Sequence, residues 1–522
     1  MTRRRLVVLL VCAVLGLAGC TADEPATTTL RVLASSELAD MRPLLDDLRR
    51  ETGIELVLDY QGSLDAANEL VPGDYDHDLA WLSSDRYFQL RYEASGTTEP
   101  PPLSTKIMTS PVVFGVRAET AEQLRRNAPD PQLSWADIAD GAAAGLVRFG
   151  MADPGRTNSG MSALVGVATA AAGTGSALRQ EDVACDRLRG FLSGQTLTSA
   201  SSNQLVSDFV ADQDKADGLI SYESVLLSLN ASGELQEPLE IIYPEDGMVL
   251  SEYPLLLLDP ERRADYDTVV GWLRSEPVQE RIMARTLRRP VDPDVRRDSR
   301  LDTAIGNALY FPAQLEVIDT LLANYEPDAR KPGHVIFLLD FSGSMKGERI
   351  AALRSTFTGL SGADDTSTGR FVRFYRGETF TLTRFGGQVL AEQTFTVNGP
   401  TDAVAMRDFL APDEFDGHTA VWSTLDHGYQ LAARIVGENP GQPVTIVLMT
   451  DGRNNVGVSL DEFLGRYGAL PPEVRTVHTY TIRFGDADPG ELDRAARTTG
   501  GRMVDATATS LHDAFTEIRG CR

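Results

Sequence analysis

The sequence predicts an α/β protein made of two successive parts, each built on a largely parallel sheet. Three observations carry that expectation. In the first half, short β-prone runs alternate with segments whose apolar residues recur at helical spacing, as Thr29 to Leu33 followed by Met41, Leu44, Leu45 and Leu48. In the second half, His334 to Asp340 and Val444 to Thr450 are near-continuous apolar runs, the pattern of strands buried on both faces. The chain has 522 residues, 42% hydrophobic and 24% charged. That is a globular composition, long enough for about three folding units. The formal charge of −26 argues against nucleic acid and against a polybasic membrane contact, because both need cations facing phosphate.

Residues 1–19 read as an export signal. Arg3, Arg4 and Arg5 precede an apolar run, Leu6 to Leu17, that is too short for a stop-transfer helix. Leu17, Ala18 and Gly19 then lead into Cys20. This ending resembles the lipobox of bacterial lipoproteins, which implies that Cys20 becomes the first mature residue and carries the lipid. Residues 20–29, polar with a proline, read as a lipidated tether, so the body is expected on the extracytoplasmic face of a cell membrane. Cys12 leaves with the signal, and Cys185 and Cys521 remain. Outside the cytoplasm these two thiols can pair or stay free, and spacing gives no geometry to decide.

Residues 30–288 read as one module. After the opening strand come Ile54 to Tyr60 as a strand, a helix opening at Gln61-Gly62-Ser63, and a strand from His77 to Trp81. Asp153 to Gly160 leads into an apolar helix, Met161 to Ala172. Gly218 to Ser221 reads as a strand, and Tyr266 to Met283 as one amphipathic helix. The serine clusters fall where strands end and helices begin, where free N–H groups and the helix dipole favour an anion. Each serine has a plainer reading as an N-cap. The segments LRVLASSEL, GSLDAANEL, IMTSPVVFGVR, SWADI and ADPGRTNSG, in this order, resemble the two-lobed extracellular solute-binding proteins of ABC importers. The resemblance implies a small-molecule ligand in the cleft between lobes, faced by Ser35, Ser36, Ser63, Asn158 and Ser159.

Residues 289–332 read as a connector with one helix, Phe311 to Tyr325, and residues 333–522 as the last domain. Asp340, Ser342 and Ser344 sit on a strand-to-helix turn, where alternate side chains can converge. A carboxylate and two hydroxyls make an oxygen-only donor set that suits a small hard cation. Thr419 precedes a helix from Val421 to Val436, and Asp451 ends the second buried strand, so all five fall at one sheet edge. Asp340-x-Ser342-x-Ser344, then Thr419, then Asp451-Gly452 resembles the von Willebrand factor A domain, a Rossmann-like fold, and its metal-ion-dependent adhesion site. That resemblance implies Mg2+ (or Mn2+ or Ca2+) held by Asp340, Ser342, Ser344, Thr419 and Asp451. It also implies a partner protein whose Asp or Glu carboxylate fills the open position.

No nucleophile or general base stands in convincing company, His418 included, so an enzyme is not expected. The function expected from sequence is a membrane-anchored lipoprotein that binds a protein partner through a divalent cation and carries a solute-binding-like module. The alternative is the solute receptor of an ABC-type importer.

Overall fold

The computed structural model describes residues 28–70, 75–173, 176–183, 188–325, 332–363, 374–508, 510–511, 514–515 and 518. The first half folds around two sheets. The first runs in the order Ile54–Gln61, Thr28–Ser35, Leu79–Trp81, Pro254–Leu257, Leu103–Lys106. Its first three strands are parallel and the last two pair antiparallel. The second sheet centres on Met108–Val116 and Gly218–Tyr222, with Phe149–Ala152 and Gln195–Ser199 beyond them. One face of the first sheet has a core of its own, around Val32, Trp81 and Leu255. Leu33, Ala80 and Leu256 on its other face belong to an apolar cluster continuous with Val112, Phe149 and Ile220 of the second sheet.

The chain passes between these sheets at three places. Ile107 joins Leu103–Lys106 to Met108–Val116, and Glu252 with Tyr253 joins Leu250–Ser251 to Pro254–Leu257. Leu287 and Arg288 join the helix Glu276–Thr286 to the short strand Arg289–Pro290, which pairs with Thr109 and Met108. Tyr253 and Leu287 adopt left-handed backbone angles, φ 43° and 55°, which side-chain-bearing residues rarely accept. Two of the three crossings therefore carry local strain, of the order of 1–2 kcal/mol each.

One element differs from the sequence reading here. The single amphipathic helix expected over Tyr266 to Met283 is two, Arg263–Leu273 and Glu276–Thr286, with Pro277 in the first turn of the second. Proline offers no N–H to the preceding turn, so the apolar periodicity runs through the break while the backbone does not.

The stretch after Pro290 stays with the first half. Leu309 N–H donates to the Met248 carbonyl at 2.9 Å, beside a bridge between Ala308 and Met248. The helix Leu315–Tyr325 then buries Val317, Ile318 and Leu321 in the core shared with Leu164 and Phe191. Tyr325 accepts a hydrogen bond from Gln195 Nε2 at 3.0 Å.

The third sheet runs Val389–Thr396, Thr379–Phe385, His334–Asp340, Val444–Thr450, His478–Arg483, Met503–Asp505, all parallel except the first. His334–Asp340 is buried along its whole length because helices cover both faces. Val335, Phe337 and Leu339 pack with Ile350, Leu353 and Phe357 on one side. Ile336 and Leu338 pack with Trp422, Leu425 and Tyr429 on the other. Strand order reverses direction between His334–Asp340 and Val444–Thr450, the switch point at which open α/β sheets leave a crevice. The hairpin Thr379–Phe385 with Val389–Thr396, turning through Gly386 and Gly387, was not read from the sequence. This domain touches the first half where Arg376 N–H donates to the Ala143 carbonyl at 2.8 Å.

Candidate functional site

Two clusters of polar side chains are placed by these sheets. The first lies where the two lobes of the first half meet. Ser35 ends Thr28–Ser35, Ser63 opens the helix Ser63–Glu69, and Ser83 follows Leu79–Trp81. Their hydroxyls form a chain, Ser35 to Ser63 and Ser63 to Ser83 at 2.6 Å each, and Ser83 N–H donates to Ser35 Oγ at 2.8 Å. All three are buried. From the other lobe, Asn158 Nδ2 donates to Ser251 Oγ at 2.8 Å and to Tyr222 Oη at 3.2 Å. Ser159 bonds instead to Ser202 at 2.8 Å, within its own lobe. Ser36 presents its carbonyl to Asn203 Nδ2 across the lobes at 2.8 Å, while its hydroxyl lies 3.4 Å from Glu37 Oε2.

The lobes touch directly. Leu64 N–H donates to the Arg156 carbonyl at 3.1 Å, and Arg156 Nε to Asp65 Oδ2 at 2.9 Å. Gly62 is needed at this contact, because a Cβ there would stand 2.3 Å from the Arg156 carbonyl oxygen. Of the five residues picked from sequence, Ser35, Ser63 and Asn158 come to the lobe border through their side chains.

Sequence reading missed the charged members of this cluster. Glu37 is buried, and burial pushes its carboxyl above the ordinary value, against the neighbouring Arg288, Ser83 and Tyr222. Arg288, fully buried, donates through Nη1 to both Asp40 oxygens at 2.8 and 2.6 Å and through Nη2 to the Glu37 carbonyl at 3.0 Å. Its guanidinium stacks 4.7 Å from the Tyr253 ring centre, and the Tyr222 and Tyr253 rings lie 5.8 Å apart. Glu37 and Arg288 stand some 250 positions apart in the chain, so only the fold joins them.

The second cluster sits at the switch point of the third sheet. Asp340 ends its strand fully buried, accepting from Ser342 N–H at 2.7 Å and from the Thr450 hydroxyl at 2.6 Å. Ser342 and Ser344 hydroxyls are 3.0 Å apart, and Ser344 donates to Asp451 Oδ1 at 2.8 Å. Thr419 is held by its N–H on Asn455 Oδ1 at 2.9 Å. A Cβ on Gly452 would lie 3.4 Å from Thr419 Oγ1 and 3.7 Å from Ser344 Oγ, so Gly452 leaves a cradle between those hydroxyls. The fold thus brings all five sequence-picked residues together. Burial, with Asp451 adding its charge, pushes the Asp340 carboxyl up to about 6. Two buried carboxylates and three hydroxyls, with a cradle a side chain would fill, fit a small divalent cation. Arg349, not foreseen, donates to Asp451 Oδ2 at 2.5 Å and lies 3.7 Å from Asp486. His418 is exposed, 3.6 Å from Asp416; His427 meets Glu392 at 2.6 Å.

Cys20, Cys185 and Cys521 lie outside the described residues. Among the described residues, no helix is long and apolar enough to cross a membrane.

No curated protein sequence matches this chain. Solved structures with a similar course include a periplasmic thiamin binding protein, 11% identical over 58% of this chain and 96% of that one, with TM-score 0.45. The ferric binding protein from Campylobacter jejuni is 12% identical over 57% and 97%, with TM-score 0.43. The sulfate-binding protein SubI from Mycobacterium tuberculosis is 18% identical over 56% and 96%, with TM-score 0.39. Residues 30–285 match the family model described as bacterial extracellular solute-binding protein.

Proposed function

We propose that this protein is the solute receptor of an ABC-type importer, capturing a small molecule between the two lobes of its first half outside the cytoplasm. The match of residues 30–285 to the solute-binding family is the observation that carries this reading. The buried polar cluster beside two of the three crossings supports it, because a cleft at a hinge couples ligand capture to lobe closure. The domain binds rather than catalyses. Thermal-shift screening against oxyanions, sugars, amino acids and amines tests it, with fluorescent labels at exposed Val57 and Gln236 reporting lobe distance. If no compound shifts melting or label distance, the receptor reading fails.

A second reading concerns the third-sheet domain. The convergence of Asp340, Ser342, Ser344, Thr419 and Asp451 supports binding of a partner protein through Mg2+ or a related cation. A bound cation would supply a Lewis-acidic position for a partner carboxylate. Asp340 and Asp451 would hold it, with the three hydroxyls filling their remaining sides. The test is capture from envelope extract with magnesium, with EDTA and with Asp340→Ala; equal capture in all three excludes it. A lipid on Cys20 would keep both activities at the membrane, and mass spectrometry of the mature N-terminus checks that.

A further inference from the structure

Three polar atoms in the lobe-border cluster have no hydrogen-bond partner although they are fully enclosed: Glu37 Oε1, Tyr253 Oη and Arg288 Nε. They come from three places in the chain, the start of the first lobe and two of its crossings. Buried polar atoms are normally paired, and a cluster of exceptions at a hinge marks a place where something else completes them. The question is what chemistry it carries.

Charge decides the class. Arg288 is neutralised by Asp40 through both carboxylate oxygens, so an ionised Glu37 leaves the cluster one negative charge in excess. Apart from Arg288 Nε and Tyr253 Oη, most donors at the lobe border are already engaged. Asn158 Nδ2 is on Tyr222 and Ser251, the three serine hydroxyls are on one another, and Leu64 N–H is on Arg156. Glu37 also forms part of the wall of an open groove between the lobes, whose other charged residues are Asp40, Glu234 and Arg285. With Asp40 already paired to Arg288, Glu37 and Glu234 against Arg285 leave that approach one negative charge in excess, which favours a cation.

We propose, resting on the receptor reading, that the captured solute is a small organic amine whose ammonium group pairs with Glu37 beside the Tyr222 and Tyr253 rings. Aromatic faces next to a buried carboxylate attract an ammonium both through charge and through the ring quadrupole. Tyr253 Oη and Arg288 Nε are then left to hydrogen-bond an oxygen of the same ligand. The raised affinity of the Glu37 carboxyl for its proton accords with a site lacking its counter-cation.

Isothermal titration calorimetry on the full chain at pH 7.5 tests this with ethanolamine, choline and putrescine against sulfate, phosphate and glucose. At least one amine is expected to bind one to one, and Glu37→Gln to weaken it at least tenfold while melting stays within a few degrees. Tyr253→Phe, which removes only the unpaired hydroxyl, is expected to weaken an oxygen-bearing amine several-fold. Binding of sulfate, phosphate or glucose alone overturns the amine and leaves solute capture standing. Equal amine affinity in Glu37→Gln overturns the role of Glu37. No heat from any of the six overturns the proposal and counts against capture as well.

Discussion

Replacing Arg289 with methionine separates the anchoring of the third crossing from its packing. Arg289 opens the strand that returns the chain to the second sheet, and it is almost wholly buried. Its Nε and Nη2 donate to Glu223 Oε2 and Oε1 at 2.8 and 2.7 Å, and Nη2 also reaches the Thr303 carbonyl at 2.8 Å. Glu223 is fully buried, and its remaining contact is the Tyr243 hydroxyl at 2.7 Å. Methionine keeps the apolar stem and leaves a fully buried carboxylate with the Tyr243 hydroxyl as its remaining side-chain partner. Breaking a buried pair from one side destabilises by about 3–5 kcal/mol, whereas replacing both partners with apolar groups is often nearly neutral. The expected result is therefore asymmetric: Arg289→Met loses roughly that amount, and Arg289→Met with Glu223→Leu recovers most of it. Urea unfolding followed by hydrogen exchange of peptides over Gly218–Tyr222 reads this lobe apart from the third-sheet domain. A single variant within about 1 kcal/mol of the parent, or a double variant as unstable as the single, would refute the pairing argument.

Three further outcomes are expected. His334 is buried against Thr381, and burial pulls its titration from 6.5 down to about 4. The unfolded chain therefore takes up this proton first, and stability is lost as pH falls from 6.5 to 4, by about 3 kcal/mol in full. His334→Gln should remove that part of the slope in a pH series of melting curves, and an unchanged slope contradicts it. In Gly62→Ala the new Cβ would press the Arg156 carbonyl from 2.3 Å, so the lobes must separate by about 1 Å. Amides of Ser63–Glu69 should then exchange about tenfold faster; unchanged exchange would mean the lobes do not rest on this contact. In Gly160→Ala the Cβ would meet the Ala152 oxygen at 2.1 Å and Pro154 N at 2.8 Å, both backbone atoms. A loss of about 1–3 kcal/mol in the second lobe is expected, and a neutral variant would show that the helix start can slide.

Where sequence and structure agree, a short-range pattern carried the information. The strand His334–Asp340 was legible because seven residues buried on two faces must nearly all be apolar. The five residues of the third-sheet cluster were legible because alternate positions on one turn, and two strand ends, are local signals. The hairpin at Gly386 was missed although Gly-Gly between β-prone runs is itself a turn signal; Thr381, Thr383 and Arg384 obscured its buried face. In the first half the serines were legible as helix starts, while Glu37, Asp40, Tyr253 and Arg288 were not. Nothing local distinguishes an arginine that will stack on a tyrosine thirty-five positions away from one that will face solvent. Arg349 was missed for the same reason, since its partner Asp451 lies 102 positions on.

The helix Leu315–Tyr325 has a practical consequence for taking the molecule apart. Its apolar face plugs the second lobe, so a chain trimmed at residue 288 would uncover Val317, Ile318 and Leu321's socket and tend to aggregate. Severing after Tyr325 keeps that plug seated. The natural seam between receptor and appendage thus falls later than the last crossing strand, past the Tyr325 that Gln195 holds.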